Sequence, residues 1–231
     1  MTPSPRPHQH PAGIVRRILL DATSRLGSPG LGSPTPNIYL GATSAYGVHI
    51  ARPNPAQPGK FLRLRIGHAE AQWMKGMFGE ALAGGPGTIF KVDGQTGAVN
   101  VFATLPDNSG PGVGNVVFDK ASKSIYASDL DNGLIHHIDS SGNIVASFDH
   151  GVAGRPAKGM APVADDGKVM IISDPAFDTE DPSTWGYTQT ERQVYGMAVN
   201  GGRLYYAVTA GQQVWSVGLR DDGSFAGDPR W

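Results

Sequence analysis

Three oxygen-bearing side chains, Asn115, Asp129 and Asp174, sit where strand-like runs meet turns. Amide and carboxylate oxygens suit a hard divalent cation such as calcium, which needs several of them converging. The three converge only if the strands carrying them are neighbours. Otherwise each ends its strand by accepting hydrogen bonds from turn amides. Asp129-Leu130-Asp131-Asn132-Gly133 has the acidic start of a calcium loop. It lacks the glycine at the sixth position and the glutamate at the twelfth, so it reads as a turn.

Other residue types offer less chemistry. His136 and His137 are adjacent in a strand-like run, so they point to opposite faces and cannot chelate together. Each is a candidate base only on its own. Gly154 to Gly159 has the spacing of a phosphate loop, but Met160 stands where that loop needs lysine. There is no Gly-x-Ser-x-Gly elbow for a serine hydrolase. Cys is zero, which removes disulfides, thiolate metal sites and cysteine nucleophiles together. Trp73 lies in one irregular segment, 67–86, and Asp178, Glu180 and Trp185 in another, 175–192. Loops carry function more often than strands do, so these four are the candidate ligand-binding residues, for a protein or a carbohydrate.

The elements that must position such residues are strands. Gly 32 and Pro 18 make up roughly 22% of 231 residues, against about 12% in average usage. Only 17% of the chain is charged, and among the acids Asp far outnumbers Glu. That composition favours turns over helices. Ile38-Tyr39-Leu40 is followed ten residues later by Val48-His49-Ile50. The same offset links Ile125-Tyr126-Ala127 to Ile135-His136-His137, and Leu204-Tyr205-Tyr206 to Val214-Trp215-Ser216. Each pair predicts two antiparallel strands. Further strands are expected at 89–93, 98–102, 115–118, 144–148, 159–163, 170–174 and 196–199. Residues 78–82 make an unconvincing strand, and 69–82 are expected to hold a short inserted helix instead. The whole repeats with a period near 40–45 residues, the spacing of a four-stranded β-propeller blade.

The expected fold is therefore all-β: a β-propeller with about five blade phases over residues 37–231, part of a six-bladed ring. Residues 1–36, rich in Pro, Gly and Ser, read as a disordered tail. Within it, 14–22 has the spacing of two helical turns. No run approaches 18 apolar residues, so no membrane-spanning helix is expected. No apolar core of a secretory signal appears in the first 30 residues. The net charge of −1 divides into a basic start, residues 1–66, and an acidic remainder. The basic residues never form a run of five or more, so no nucleic-acid partner is expected.

Asn115-Val-Val-Phe-Asp-Lys-Ala-Ser-Lys-Ser-Ile-Tyr-Ala-Ser-Asp129 resembles the blade signature of gluconolactonase-like and NHL-type six-bladed propellers. Tyr195-Gly196-Met-Ala-Val-Asn-Gly-Gly-Arg-Leu-Tyr-Tyr206 fits the same form. The resemblance covers roughly residues 112–217. It implies a periplasmic or secreted location and, in the gluconolactonase-like branch, a calcium ion in the central channel. Asp129 would occupy the place of that branch's aspartate. The branch's asparagine would fall on Gly114, one residue from Asn115, and its glutamate has no match.

These readings lead to a non-catalytic propeller that serves as a scaffold or recognition module within a larger protein. A calcium-dependent lactonase or esterase is the alternative. A third reading is an incomplete propeller without activity of its own, prone to self-association through open strand edges.

Overall fold

The structure, a computed structural model, describes residues 15–20, 36–42, 50–64, 67–69, 71, 73 and 78–231. Its regular structure is mostly antiparallel sheet, with only short helical turns. The first sheet runs β1 (Val15–Leu20), β2 (Ile38–Ala42), β5 (Thr88–Val92) and β6 (Val99–Thr104). A separate hairpin, β3 (Ile50–Pro53) with β4 (Phe61–Leu64), is inserted between β2 and β5. The second sheet is a continuous meander of β7 (Val113–Asp119), β8 (Ser124–Asp129), β9 (Leu134–Ile138) and β10 (Ile144–Asp149). The third holds β11 (Val194–Asn200), β12 (Arg203–Val208) and β13 (Gln213–Gly218).

The second sheet lies between the other two, which explains its sequence. Successive side chains of a strand point to opposite faces. On β8, Ile125 and Ala127 join a core with Tyr39, Ile89 and Leu105 of the first sheet and its exit. Tyr126, between them, joins Leu204, Tyr206 and Trp215 of the third sheet. Every residue of β8 is buried, so it reads as an unbroken run rather than an alternation. A fully buried isoleucine such as Ile125, Ile135 or Ile138 contributes about 1.5–3 kcal/mol. The first strand of the middle sheet, β7, packs against β11 and also against β2 and β1.

Four expectations are corrected. Ile38 does not pair ten residues on. It stands opposite Val92, because the 43–87 insertion separates two strands that are neighbours in the sheet. Val48 and His49 lie outside the described residues. Residues 159–163 and 170–174 form no strand. In 170–174 the alternation is present, with Met170 and Ile172 buried and Ile171 exposed. The backbone, however, bonds to loops: Met170 N–H donates to Ser109 Oγ (2.7 Å), and Ile172 C=O accepts from Gly67 N–H (2.6 Å). Residues 15–20, read as helical turns in a tail, instead form β1, paired with β2. The irregular 69–82 segment holds a single 3-10 turn, Glu80–Leu82, among its described residues.

A meander alternates its connections between two ends. Turns 93–98, 120–123, 139–143 and 201–202 are short. At the opposite end, Leu130 N–H donates to Gly112 C=O (2.8 Å) and Thr188 N–H to Leu130 C=O (3.1 Å). Those bonds gather connections 105–112, 130–133 and 150–193 into one loop end. The outer edge of β13 is covered by the last residues, where Ser216 and Arg230 exchange two backbone hydrogen bonds of 2.7 Å. No closed ring is described, and among the described residues no helix is long and apolar enough to cross a membrane.

Candidate functional site

The densest polar chemistry lies at the loop end, where β8 turns into β9. Asp129 and Asp131 are almost completely buried, at 0% and 3% exposed. The turn explains why: Asp129 Oδ1 accepts from Asp131 N–H (2.9 Å), so both carboxylates are drawn inward. Asp129 Oδ2 accepts from the side-chain amides of Asn108 (2.8 Å) and Asn132 (3.1 Å). His136 Nε2 lies 3.5 Å from the same oxygen, and His136 Nδ1 is 2.8 Å from Ser147 Oγ. Asp129, His136 and Ser147 thus stand in the order acid, imidazole, hydroxyl. The register alone accounts for the His–Ser pair, since Ser147 is directly opposite His136 across β9 and β10. Catalysis by such a set also requires donors aimed at a developing oxyanion.

Asp131 is held differently. Its Oδ2 accepts from both the N–H and the Oγ–H of Ser109, each at 2.6 Å. Its Oδ1 is buried without a partner, and so is Asn108 Oδ1. Burial pushes the Asp131 carboxyl up to about 6; the Ser109 bonds oppose this, and the nearby charges of Asp129 and Asp165 add to it.

The three residues expected to hold calcium each have other hydrogen-bond partners. Asp129 is committed to amide donors. Asp174 is exposed and accepts from the turn amide of Ala176 (2.8 Å), and Asn115 Oδ1 accepts from Val116 N–H (2.9 Å). For Asp174 the turn-capping alternative is the observed one. Among the described residues no group of three or more His, Cys, Asp and Glu is placed to hold a metal.

The long connections have a core of their own. Trp185, Phe177, Met170, Ile172 and Tyr187 pack with Leu130 of the β8–β9 turn and with Ala71; Trp73 is half-buried against them. Trp185, read as ligand-binding, is only 1% exposed, and its indole N–H donates to Asp178 C=O (2.7 Å). An aromatic in an irregular segment looked available, but it is the centre of that segment's own packing. Asp178 and Glu180 are exposed. Asp178 Oδ1 accepts from Glu180 N–H (2.9 Å), which shapes the turn.

Arg192 fastens this assembly to the sheets. Its buried guanidinium donates to the carbonyls of Asn132 (2.7 Å) and Val163 (2.7 Å) and pairs with Asp149 at the end of β10 (3.0 Å). Gly133 makes room for it: with φ +76, a Cβ there would lie 2.7 Å from Arg192 Cβ. His150, fully buried, contacts Tyr206 and Trp215, and burial together with Arg155 and Arg192 lowers its pKa to about 4.

A second polar region, at the turn end, escaped the sequence analysis. Ser122, Ser124, His137, Asp139, Ser140, Asp222 and Ser224 help line a recess of about 400 Å³. His137 Nε2 is 2.8 Å from Ser124 Oγ, its ring stacks on Tyr126, and burial lowers its pKa. These residues span about a hundred positions and come from three separate segments, and nothing in the sequence links those segments.

The chain matches no family model, and no curated protein matches it in sequence.

Proposed function

We propose that the three sheets are consecutive blades of a β-propeller, and that the chain is a recognition module binding a protein partner at its loop end. The packing of β7 against β11, β2 and β1 supports the propeller reading, since first strands of blades meet around a common axis. The observation that carries the recognition reading is the core that the 150–193 connection builds together with Leu130 and Ala71. A binding surface works best on a rigid support, and this loop is anchored by Trp185, Phe177 and Arg192 rather than left to solvent.

The surface so supported has a definite chemistry. Val169 and Ile171 are 52% and 53% exposed, and they alternate with the buried Met170 and Ile172, so they face away from the loop core. Asp165, Asp166, Asp174, Asp178, Glu180 and Asp181 surround them in sequence, with Lys168 the lone basic residue from 160 to 185. An apolar centre with an acidic rim fits a partner whose surface is apolar with a basic rim.

The test is affinity capture with the full chain at rising salt, alongside the double variant Val169→Asp/Ile171→Asp. Both side chains are exposed, so the variant should keep the wild-type unfolding midpoint. Partners held by the wild type, released by salt and absent from the variant would support the proposal. The same proteins recovered by both would overturn it.

A further inference from the structure

The strongest unexplained feature of the molecule is a pair of oxygens. Asn108 Oδ1 and Asp131 Oδ1 are both buried and have no hydrogen-bond partner. They also converge. A Cβ built on Gly112 would lie 2.3 Å from each, so the two oxygens are no further apart than twice that distance. Both present lone pairs, and at neutral pH Asp131 adds a negative charge. Two buried acceptors facing one another repel, and a buried polar atom left unpaired costs about 1–3 kcal/mol.

The surrounding charge makes the arrangement harder to sustain. Asp129 and Asp131 are both buried, and among the described residues neither forms an ion pair with Lys or Arg. The buried cation of this end, Arg192, is taken by Asp149 and by two carbonyls. Buried carboxylates are ordinarily paired with a cation or bound to a metal. Asn108 is oriented to do neither job with its nitrogen, because Nδ2 donates to Asp129 and so turns Oδ1 toward Asp131.

We propose that Asn108 Oδ1 and Asp131 Oδ1 bind a calcium ion beside Gly112, joining the exit of the first sheet to the β8–β9 turn of the second. All donors here are oxygens, which selects a hard cation over zinc or copper. Calcium contacts oxygens at about 2.3–2.6 Å, so a single ion reaches both within the span that Gly112 sets. The rest of its shell falls to water and to carbonyls of the same loops. Gly112 is required because any Cβ would occupy the place against these oxygens. With one carboxylate in the set, the affinity belongs to the weak range, on the order of 0.1–1 mM. The ion is structural: it offsets the Asp131 charge and closes the seam between two sheets.

This site differs from the set of Asn115, Asp129 and Asp174, whose members are engaged elsewhere. It is tested on the full chain by thermal unfolding at pH 7.5, in EDTA and in 10 mM calcium chloride. Calcium should raise the wild-type midpoint by about 5 °C. Asp131→Asn separates a lost site from a lost fold: its new amide can donate to Asn108 Oδ1 while its oxygen still accepts from Ser109. That variant should match or exceed the wild type in EDTA and should not respond to calcium. A wild-type midpoint indifferent to calcium would overturn the proposal, and so would an Asp131→Asn variant that responds as the wild type does. A wild-type midpoint that ignores calcium but climbs as pH falls through 6 would also overturn it, assigning the pair a shared proton instead.

Discussion

At the turn end of the sheets, aspartates do one thing, and at the loop end the same residue type does another. Asp93 and Asp139 each follow a strand, Asp222 sits within the turn beyond β13, and all three accept hydrogen bonds from turn amides. Those bonds hold their carboxyls below the usual range. Asp129 and Asp131 also open a turn, but one roofed by Ser109, Leu130 and the loop core, and there burial drives Asp131 upward to about 6. An aspartate in a turn is thus an electrostatic convenience in solvent and an electrostatic problem under a roof. The short connections stabilise themselves. The long ones depend on a few buried groups, and on whatever neutralises Asp131.

That difference can be broken deliberately. The largest effect should come from Trp185→Ala, which removes the centre of the loop core and should cost about 3–5 kcal/mol in denaturant unfolding. A loss near zero would show that the loop end unfolds independently of the sheets. Arg192→Ala should cost about 3–5 kcal/mol as well, by leaving Asp149 and two carbonyls without their donor. Arg192→Lys should recover part of this, since a point charge can reach Asp149 but not both carbonyls.

Next in size are two pH effects of opposite sign. The pKa of His150 is depressed to about 4 from an ordinary 6.5, so its contribution is present above pH 6.5 and is lost as pH falls through 4. Asp131 is raised to about 6, so its contribution is present below about pH 4 and is lost as pH rises through 6. Each spans about 3 kcal/mol. Asp131→Asn in EDTA should therefore gain on the wild type as pH rises from 5 to 7.5, and a constant difference across that range would contradict the assignment. The smallest effect belongs to the turn end. Asp139→Ala should shift the midpoint less than Trp185→Ala or Arg192→Ala, because solvent replaces the lost bonds.

How much of this was legible follows the same division. The strands beginning at 125 and 135, and those beginning at 204 and 214, could be read because β-branched and aromatic runs are joined directly by short turns, and each pair is an antiparallel neighbour in its sheet. Ile38 with Val48 failed because an insertion can separate two strands without disturbing their pattern. Residues 170–174 failed for a deeper reason: alternation reports that one side is buried, not that a neighbouring strand buries it. Asp129 was singled out as a calcium ligand and is buried at the loop end, yet the unsatisfied oxygens belong to Asp131 and Asn108. Nothing local distinguishes them, since their meeting depends on Gly112 and on the approach of a loop from another sheet. Trp185 was read as a ligand residue, but it is buried by Phe177 and Tyr187 of its own segment together with Leu130, Met170 and Ile172 from outside it, which no local pattern shows.

The central claim is that the loop end holds a carboxylate which needs a cation. The most direct measurement is the carbon-detected NMR titration of the Asp131 carboxyl, with and without calcium. The account predicts a midpoint near 6 in EDTA that falls below 4 when calcium is present. A midpoint near 4 in both conditions would contradict it.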